Sequence, residues 1–236
     1  PRRAGGCPWP RADGRAPDFP ARFRGLRHRT PAVLANLTEH WPARRRWSLA
    51  GFLAAHGALR ADVRAPGVGE EDAPLRRARV RDFLRDPASE GLVQFSFGDW
   101  PLYQALASEA PTPQALRGVS RQPSFALGRQ GSGSGPHAHG EAWLAQVRGR
   151  KAWLAWPPGA EPPAGALALP AGGDVAPCGD ALGEEGQRSW CEVRPGEVFY
   201  VPGGWRHTTC NLDGFTLAVG GRDDSGSWPP LFHELA

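Results

Sequence analysis

The sequence contains no methionine, not even at position 1, and a single lysine among its 28 basic residues; the rest are arginine. The missing initiator reads as a processed or excerpted chain, so the lack of a signal peptide does not argue for cytosolic residence. No run of about 18 or more apolar residues occurs, which leaves no helical membrane span. Four cysteines, at 7, 178, 191 and 210, form no CxxC pair, which excludes the common zinc-knuckle spacings. Cys178 and Cys191 flank a loop and are placed to close a disulfide in an oxidising compartment. Acid of one sign is also not segregated. The formal charge is +4, yet the arginines are dispersed and interleaved with acids over residues 70–85. Dispersed charge describes a solvated surface, and no nucleic-acid partner is expected.

What is present is an ordinary globular balance, with 40% hydrophobic and 22% charged residues over 236 positions, enough for one sizeable core. Glycine (31) and proline (25) gather between short apolar runs, the punctuation of many short strands joined by turns. Residues 1–28 lack apolar periodicity and read as an irregular lead-in. Beyond them the pattern predicts strands at 31–36, 61–65 and 91–97. Helices are predicted at 49–56, capped by Ser48 and stopped at Gly57, at 80–85 and at 102–107. From 124 onward strands are predicted at 124–128, 136–139, 143–148, 152–156, 191–193, 197–201, 207–211 and 216–220. A Pro/Gly/Ala-rich loop insert fills about 157–190. There is no internal repeat. The expected fold is mainly β: an α/β N-terminal section packed on a C-terminal double-stranded barrel, core about 124–222, in one domain over 29–236.

Two glycine-bounded histidine motifs carry chemistry. The first is Gly131-(x)5-His137-x-His139, and the second Gly196-(x)5-Pro202-x-Gly204-(x)2-His207-(x)3-Asn211. Side chains alternate along a strand, so His137 and His139 are predicted on one face. The Pro202-Gly203-Gly204 turn lets His207 re-enter from a neighbouring strand. Three imidazoles converging this way make a metal site with open positions.

The two motifs together resemble the cupin signature. Around them, Ser124-Phe-Ala-Leu-Gly128, residues 131–141, Gln146-Val-Arg-Gly-Arg-Lys151 running on to Pro158, and residues 194–211 resemble the JmjC family of iron and 2-oxoglutarate oxygenases. Upstream, Arg29-Thr-Pro-Ala-Val-Leu34, Phe95-Ser-Phe-Gly-Asp99 and the Gly-Ser-Gly-Ser-Gly135 run are similar to a small lumenal branch of that family, and the likeness extends over about 29–222. The resemblance implies a JmjC-type jelly-roll, a double-stranded β-helix, with Fe(II) or another divalent metal held by His137, His139 and His207. It further implies 2-oxoglutarate as cosubstrate, with its far carboxylate on Lys151, and a protein substrate to be hydroxylated. Lys151 sits in the family's Gly-Arg-Lys-x-Trp context, and a compact ammonium differs from a guanidinium fork. Ser134 matches a position where family members place a hydroxyl against the cosubstrate. With the Asn36-Leu37-Thr38 sequon and the cysteines, the resemblance leans toward the endoplasmic reticulum lumen.

One departure stands out. Family oxygenases read His-x-Asp or His-x-Glu, whereas this chain reads His137-Ala138-His139. Glu141, two residues on, is a candidate to substitute for or supplement the missing carboxylate. Three neutral imidazoles leave the charge of a divalent ion uncancelled, so the oxygenase reading stands beside two others. One is a JmjC-fold binding or scaffold protein without turnover. The other is a three-histidine cupin dioxygenase that does not use 2-oxoglutarate. Asn211 is read either as orienting His207 or as a turn residue, and Trp143, Trp153 and Phe199 as core or pocket lining. His28, His40, His56 and His233 fall outside both motifs and are read as surface or structural.

Overall fold

The computed structural model describes residues 7–64, 75–86, 92–94, 100–119, 122–161 and 190–223. In chain order these form β1 (Arg11–Asp13), α1 (Phe19–Leu26), β2 (Ala32–Ala35), α2 (Ala43–Arg46), α3 (Leu49–His56), β3 (Arg60–Arg64), β4 (Leu75–Arg79), α4 (Val80–Arg85), β5 (Leu92–Gln94) and α5 (Trp100–Ala107). The barrel strands follow: β6 (Gln122–Gly128), β7 (Ala142–Arg148), β8 (Lys151–Trp156), β9 (Cys191–Val193), β10 (Val198–Val201), β11 (Arg206–Asn211) and β12 (Thr216–Arg222).

The strands make two sheets. The larger has the order β1-β2-β10-β7-β12-β6-β5-β3-β4, and the smaller β11-β8-β9. Alternation explains how the sheets face each other. In β10, Val198 and Tyr200 join the main core against the helices, while Phe199 and Val201 join a second cluster with Trp153 and Val193 of the small sheet. All four β10 residues are therefore buried, as in a strand covered on both faces. This β-rich, two-sheet jelly-roll is the fold class that the sequence pattern predicts.

The helices cover the outer face of the large sheet. In α3 the Ser48 hydroxyl accepts from the Gly51 amide at 3.1 Å, a conventional N-cap, and Phe52 and His56 bury one turn apart. The predicted bounds of α3 and α4 match the observed ones. Trp47 and Phe52 pack edge to face, centroids 5.7 Å apart, and join Phe83, Leu102 and Leu106 in the core.

Several expectations need correction. The stretch read as an irregular lead-in carries β1, paired in parallel with β2, and α1, which buries Phe19 and Phe23 on one face. β1 has a single buried residue, Ala12, so its strand character comes from the neighbour it pairs with rather than from its own pattern. β4 is missing from the sequence reading for a similar reason: Leu-Arg-Arg-Ala-Arg is mostly arginine, and it is the pairing with β3 that makes it a strand, with Ala78 buried. The predicted strand at 136–139 is not a strand but an isolated bridge, His137 to His207. Cys191 pairs with Cys7, not with Cys178, across 184 residues, tying the N-terminal segment to the small sheet. Among the described residues no cysteine is free. Most of the 157–190 insert, residues 95–97 and His233 lie outside the described residues.

Candidate metal centre

The Gly/Ser run before the first motif is pinned against β11. The Gly131 amide donates to the Asn211 carbonyl at 2.9 Å, and the Asn211 amide to the Ser132 carbonyl at 2.8 Å. The Thr209 amide donates to the Ser134 carbonyl at 3.1 Å. His137 and His207 then exchange amide-to-carbonyl bonds at 3.0 and 2.9 Å. Glycine is required here for a steric reason: a Cβ on Gly133 would stand 1.9 Å from the Thr209 carbonyl oxygen. The extended run thus adds a further edge to the small sheet and delivers His137 beside His207.

The three histidines converge. Ring centroids of His137 and His207 are 4.2 Å apart, His139 and His207 4.7 Å, and His137 and His139 5.4 Å. One ligand atom from each lies within 4.8 Å of the others. Each Nδ1 faces a backbone carbonyl: Gly135 for His137 and Gly140 for His139, both at 2.8 Å, and Trp205 for His207 at 3.1 Å. A carbonyl can only accept, so each Nδ1 donates to it, and Nε2 is the ring nitrogen left to face a metal. Burial, reinforced by the other two rings, holds the His207 imidazole neutral well below its usual range. Three imidazoles, each oriented by a carbonyl at Nδ1, fit a divalent transition metal.

Glu141 does not join them. Its carboxylate takes a two-pronged contact from the Arg27 guanidinium, 2.8 Å at each oxygen, and a 2.5 Å bond donated by the Tyr200 hydroxyl. The His28 amide in turn donates to the Tyr200 oxygen at 2.9 Å. Burial and the neighbouring carboxylate push the Tyr200 phenol up, which keeps it a donor. The side chain follows the backbone out of the cavity: Asp223 donates its amide to the Glu141 carbonyl, and a Cβ on Gly140 would meet the Asp223 oxygen at 1.6 Å. Glu141 therefore anchors α1 to the ligand loop.

The cluster opens into a cavity of about 50 Å³ between the two sheets. Lys151, 1% exposed, lies in its wall, and its ammonium donates to Asn211 Oδ1 at 2.6 Å. The Asn211 amide nitrogen donates to Ser132 Oγ at 2.9 Å, so Asn211 serves Lys151 and not His207. Burial pushes the Lys151 ammonium down to about 7. Ser134 is also buried in the wall, its hydroxyl 2.9 Å from that of Thr209. Trp153 and Phe199 stack at 4.5 Å and line the cavity, while Trp143 lines it and also belongs to the main core. The predicted residues His137, His139, His207, Lys151 and Ser134 are thus brought together, and Glu141 is not.

Two participants were not singled out by sequence reasoning. Thr209 completes the hydroxyl pair, and Arg222 lines the cavity from the end of β12, opposite Ala142 at the start of β7. The signal for Arg222 was the continuation of the last strand past Gly220, back to the level of the ligand loop.

No family model matches the chain. Among curated proteins, the human JmjC domain-containing protein 8 is 33% identical over 135 residues, 55% of this chain and 50% of that protein. Its mouse counterpart is 29% identical over 197 residues, 78% of this chain and 71% of that protein. The Arginine-specific demethylase JMJ22 of Arabidopsis thaliana is 29% identical over 208 residues, 78% of this chain and 40% of that protein. The chain therefore spans about half the length of the human relative and less of the plant one. These likenesses to JmjC-domain proteins, on a jelly-roll whose histidine motifs meet in one cluster able to hold a metal, support a JmjC-domain family for the chain.

Proposed function

We propose that this protein is an Fe(II)- and 2-oxoglutarate-dependent oxygenase with a His-x-His variant metal site, acting on a protein side chain. The observation that carries the reading is Lys151: a cation 1% exposed, in the same cavity as the three histidines, whose hydrogen-bond partner is a neutral amide. A buried ammonium without a counter-ion is costly, and the carboxylate of a bound ligand removes that cost.

In this reading His137, His139 and His207 hold the metal through Nε2, and Lys151 with Asn211 receives the far carboxylate of 2-oxoglutarate. When bound, the metal supplies the activation of oxygen that side chains cannot perform. The chain's own contribution is orientation and exclusion of water. The Nδ1 contacts fix the three rings, and Trp153, Phe199 and Val201 wall the cavity with apolar surface. A protein substrate is supported by the demethylase names of the plant relatives. Residence in the endoplasmic reticulum lumen is part of the proposal, supported by the Cys7–Cys191 disulfide and the sequon. A second reading, a JmjC-fold binding protein without turnover, is favoured by one observation: among the described residues, no carboxylate stands among the ligand atoms of the cluster.

Anaerobic addition of Fe(II) and then 2-oxoglutarate tests the proposal. A saturable metal-to-ligand absorption band needing both components, absent in Lys151→Met, is expected. Metal uptake with no such band would favour the second reading.

A further inference from the structure

We propose that Trp9 is a positioning residue for the metal cluster, held in place by the Cys7–Cys191 bridge, so that the redox state of the bridge sets the metal affinity of the site. The inference needs the three-histidine cluster and is independent of the oxygenase reading.

The contacts from the bridge to the cluster are continuous. The Trp9 ring meets Phe199 edge to face at 5.4 Å, and Phe199 stacks on Trp153 at 4.5 Å. Trp153 in turn covers His207, centroids 5.6 Å apart and planes tilted by 30°. Phe199, Trp153 and His207 line the cavity, whereas Trp9 packs on their cluster from outside it. Phe199 and His207 are both buried. In a close-packed interior such rings keep their places only while the atoms behind them stay put. Trp9, half-buried, is the ring behind Phe199.

The backbone that carries Trp9 has two anchors. From Pro10 onward it is secured without the bridge: the Val33 amide donates to the Pro10 carbonyl at 3.0 Å, β1 pairs with β2, and the Arg11 guanidinium donates to the Glu192 carbonyl at 3.2 Å. Among the described residues no backbone hydrogen bond holds Cys7, Pro8 or Trp9. Their tie is the disulfide to Cys191, which stands opposite Trp153 in the β8–β9 register. Once the bridge is cut, the Trp9 contact is set against the backbone entropy of three freed residues, a comparable quantity. Trp9 then leaves Phe199 part of the time, Phe199 and Trp153 relax into the vacated space, and His207 loses its fixed backing. β1 stays paired, so the opening is local.

Cys191 is fully buried and Cys7 half-buried, so a reductant reaches the bridge at Cys7. A thiolate of a dithiol attacks Cys7 Sγ, and Cys191 leaves as a thiolate that takes up a proton. The second thiol of the reductant then releases Cys7 and closes the reductant's own disulfide, so two electrons and two protons pass to the protein. Linkage makes the effect reciprocal: a metal on the three histidines opposes reduction by the factor that reduction takes from metal affinity.

Co(II) titration of the full chain, read by visible d–d absorption, tests the proposal. Cys7→Ala/Cys191→Ala and Trp9→Ala are each expected to weaken Co(II) about tenfold and to change the band shape, while Trp9→Phe restores both. The wild-type chain, reduced by dithiothreitol and desalted anaerobically, is expected to match the double variant. The same treatment of the double variant is expected to change nothing further, which separates the effect from the disulfide of Cys210. Each titration is run well below the melting temperature of its variant, so that a loss is read on folded protein. Wild-type affinity and band shape in Trp9→Ala would overturn the positioning role. A weakened Trp9→Ala beside a double variant of wild-type affinity would overturn control by the bridge. Absence of Co(II) uptake by the intact wild-type chain would remove the metal cluster and this inference with it.

Discussion

Lys151 Nζ lies 2.6 Å from Asn211 Oδ1, joining the first residue of β8 to the last of β11, and these two positions face each other in the strand register. The single lysine of the chain and the terminal residue of the second histidine motif thus form one anion-ready pair. Replacing Lys151 by Met keeps the volume and removes the charge. The variant is expected to retain metal affinity within about twofold and to weaken 2-oxoglutarate by at least about tenfold, since a charge-assisted contact contributes roughly 1.5–3 kcal/mol. Isothermal titration of both ligands checks the split.

The same lysine predicts a pH dependence. Its ammonium is pushed from 10.5 to about 7 in the folded chain. Between those values the unfolded state binds more protons, so stability rises with pH across that window. Denaturant titrations of the unloaded protein at pH 7 and pH 10 should show this rise, and Lys151→Met should flatten it. Anion binding runs the opposite way, weakening as pH climbs above about 7 and the ammonium is lost.

Glu141→Gln isolates the corrected residue. It breaks the two-pronged Arg27 contact and takes the charge from the acceptor of the Tyr200 hydrogen bond, in a side chain 9% exposed. A loss of roughly 2–3 kcal/mol in unfolding free energy is expected, below the figure for a fully buried pair because Arg27 is partly solvated. Metal affinity of the folded variant should be unchanged. A loss of metal with no loss of stability would return Glu141 to the ligand set.

The Cys7–Cys191 bridge closes a loop of 184 residues in separation. Reduction, or the double Ser substitution, is expected to lower unfolding free energy by about 2–5 kcal/mol. Paired thermal melts with and without reductant measure it.

Much of the barrel could be read from the chain because its strands obey the period-two rule: β7 and β10 send alternate residues to different clusters, and β12 sends Leu217 and Val219 to the main core. The histidine spacing pointed to the cluster as well, although His137 and His139 reach it from an isolated bridge and not from a regular strand. What the sequence did not disclose depends on partners far away along the chain. β1 exists through its pairing with β2, and Glu141 leaves the cluster because Arg27, 114 residues earlier, claims it. Local alternation placed Glu141 on the side of His139, but the chain between them is not a regular strand. The pairing of Cys191 was hidden because a disulfide follows spatial proximity, and Cys7 comes from the other end of the chain. Arg222 was missed because its signal lies in the run of β12 past Gly220 and not in the arginine itself.

The central claim is that three imidazoles, and no protein carboxylate, hold the metal. X-ray absorption of the Fe(II)-loaded protein, paired with metal content of His207→Ala and Glu141→Gln, tests it most directly. The account predicts one bound metal with imidazole scattering from three rings, lost in His207→Ala and retained in Glu141→Gln. A protein carboxylate at bonding distance that disappears in Glu141→Gln, or no bound metal in the intact chain, would contradict it.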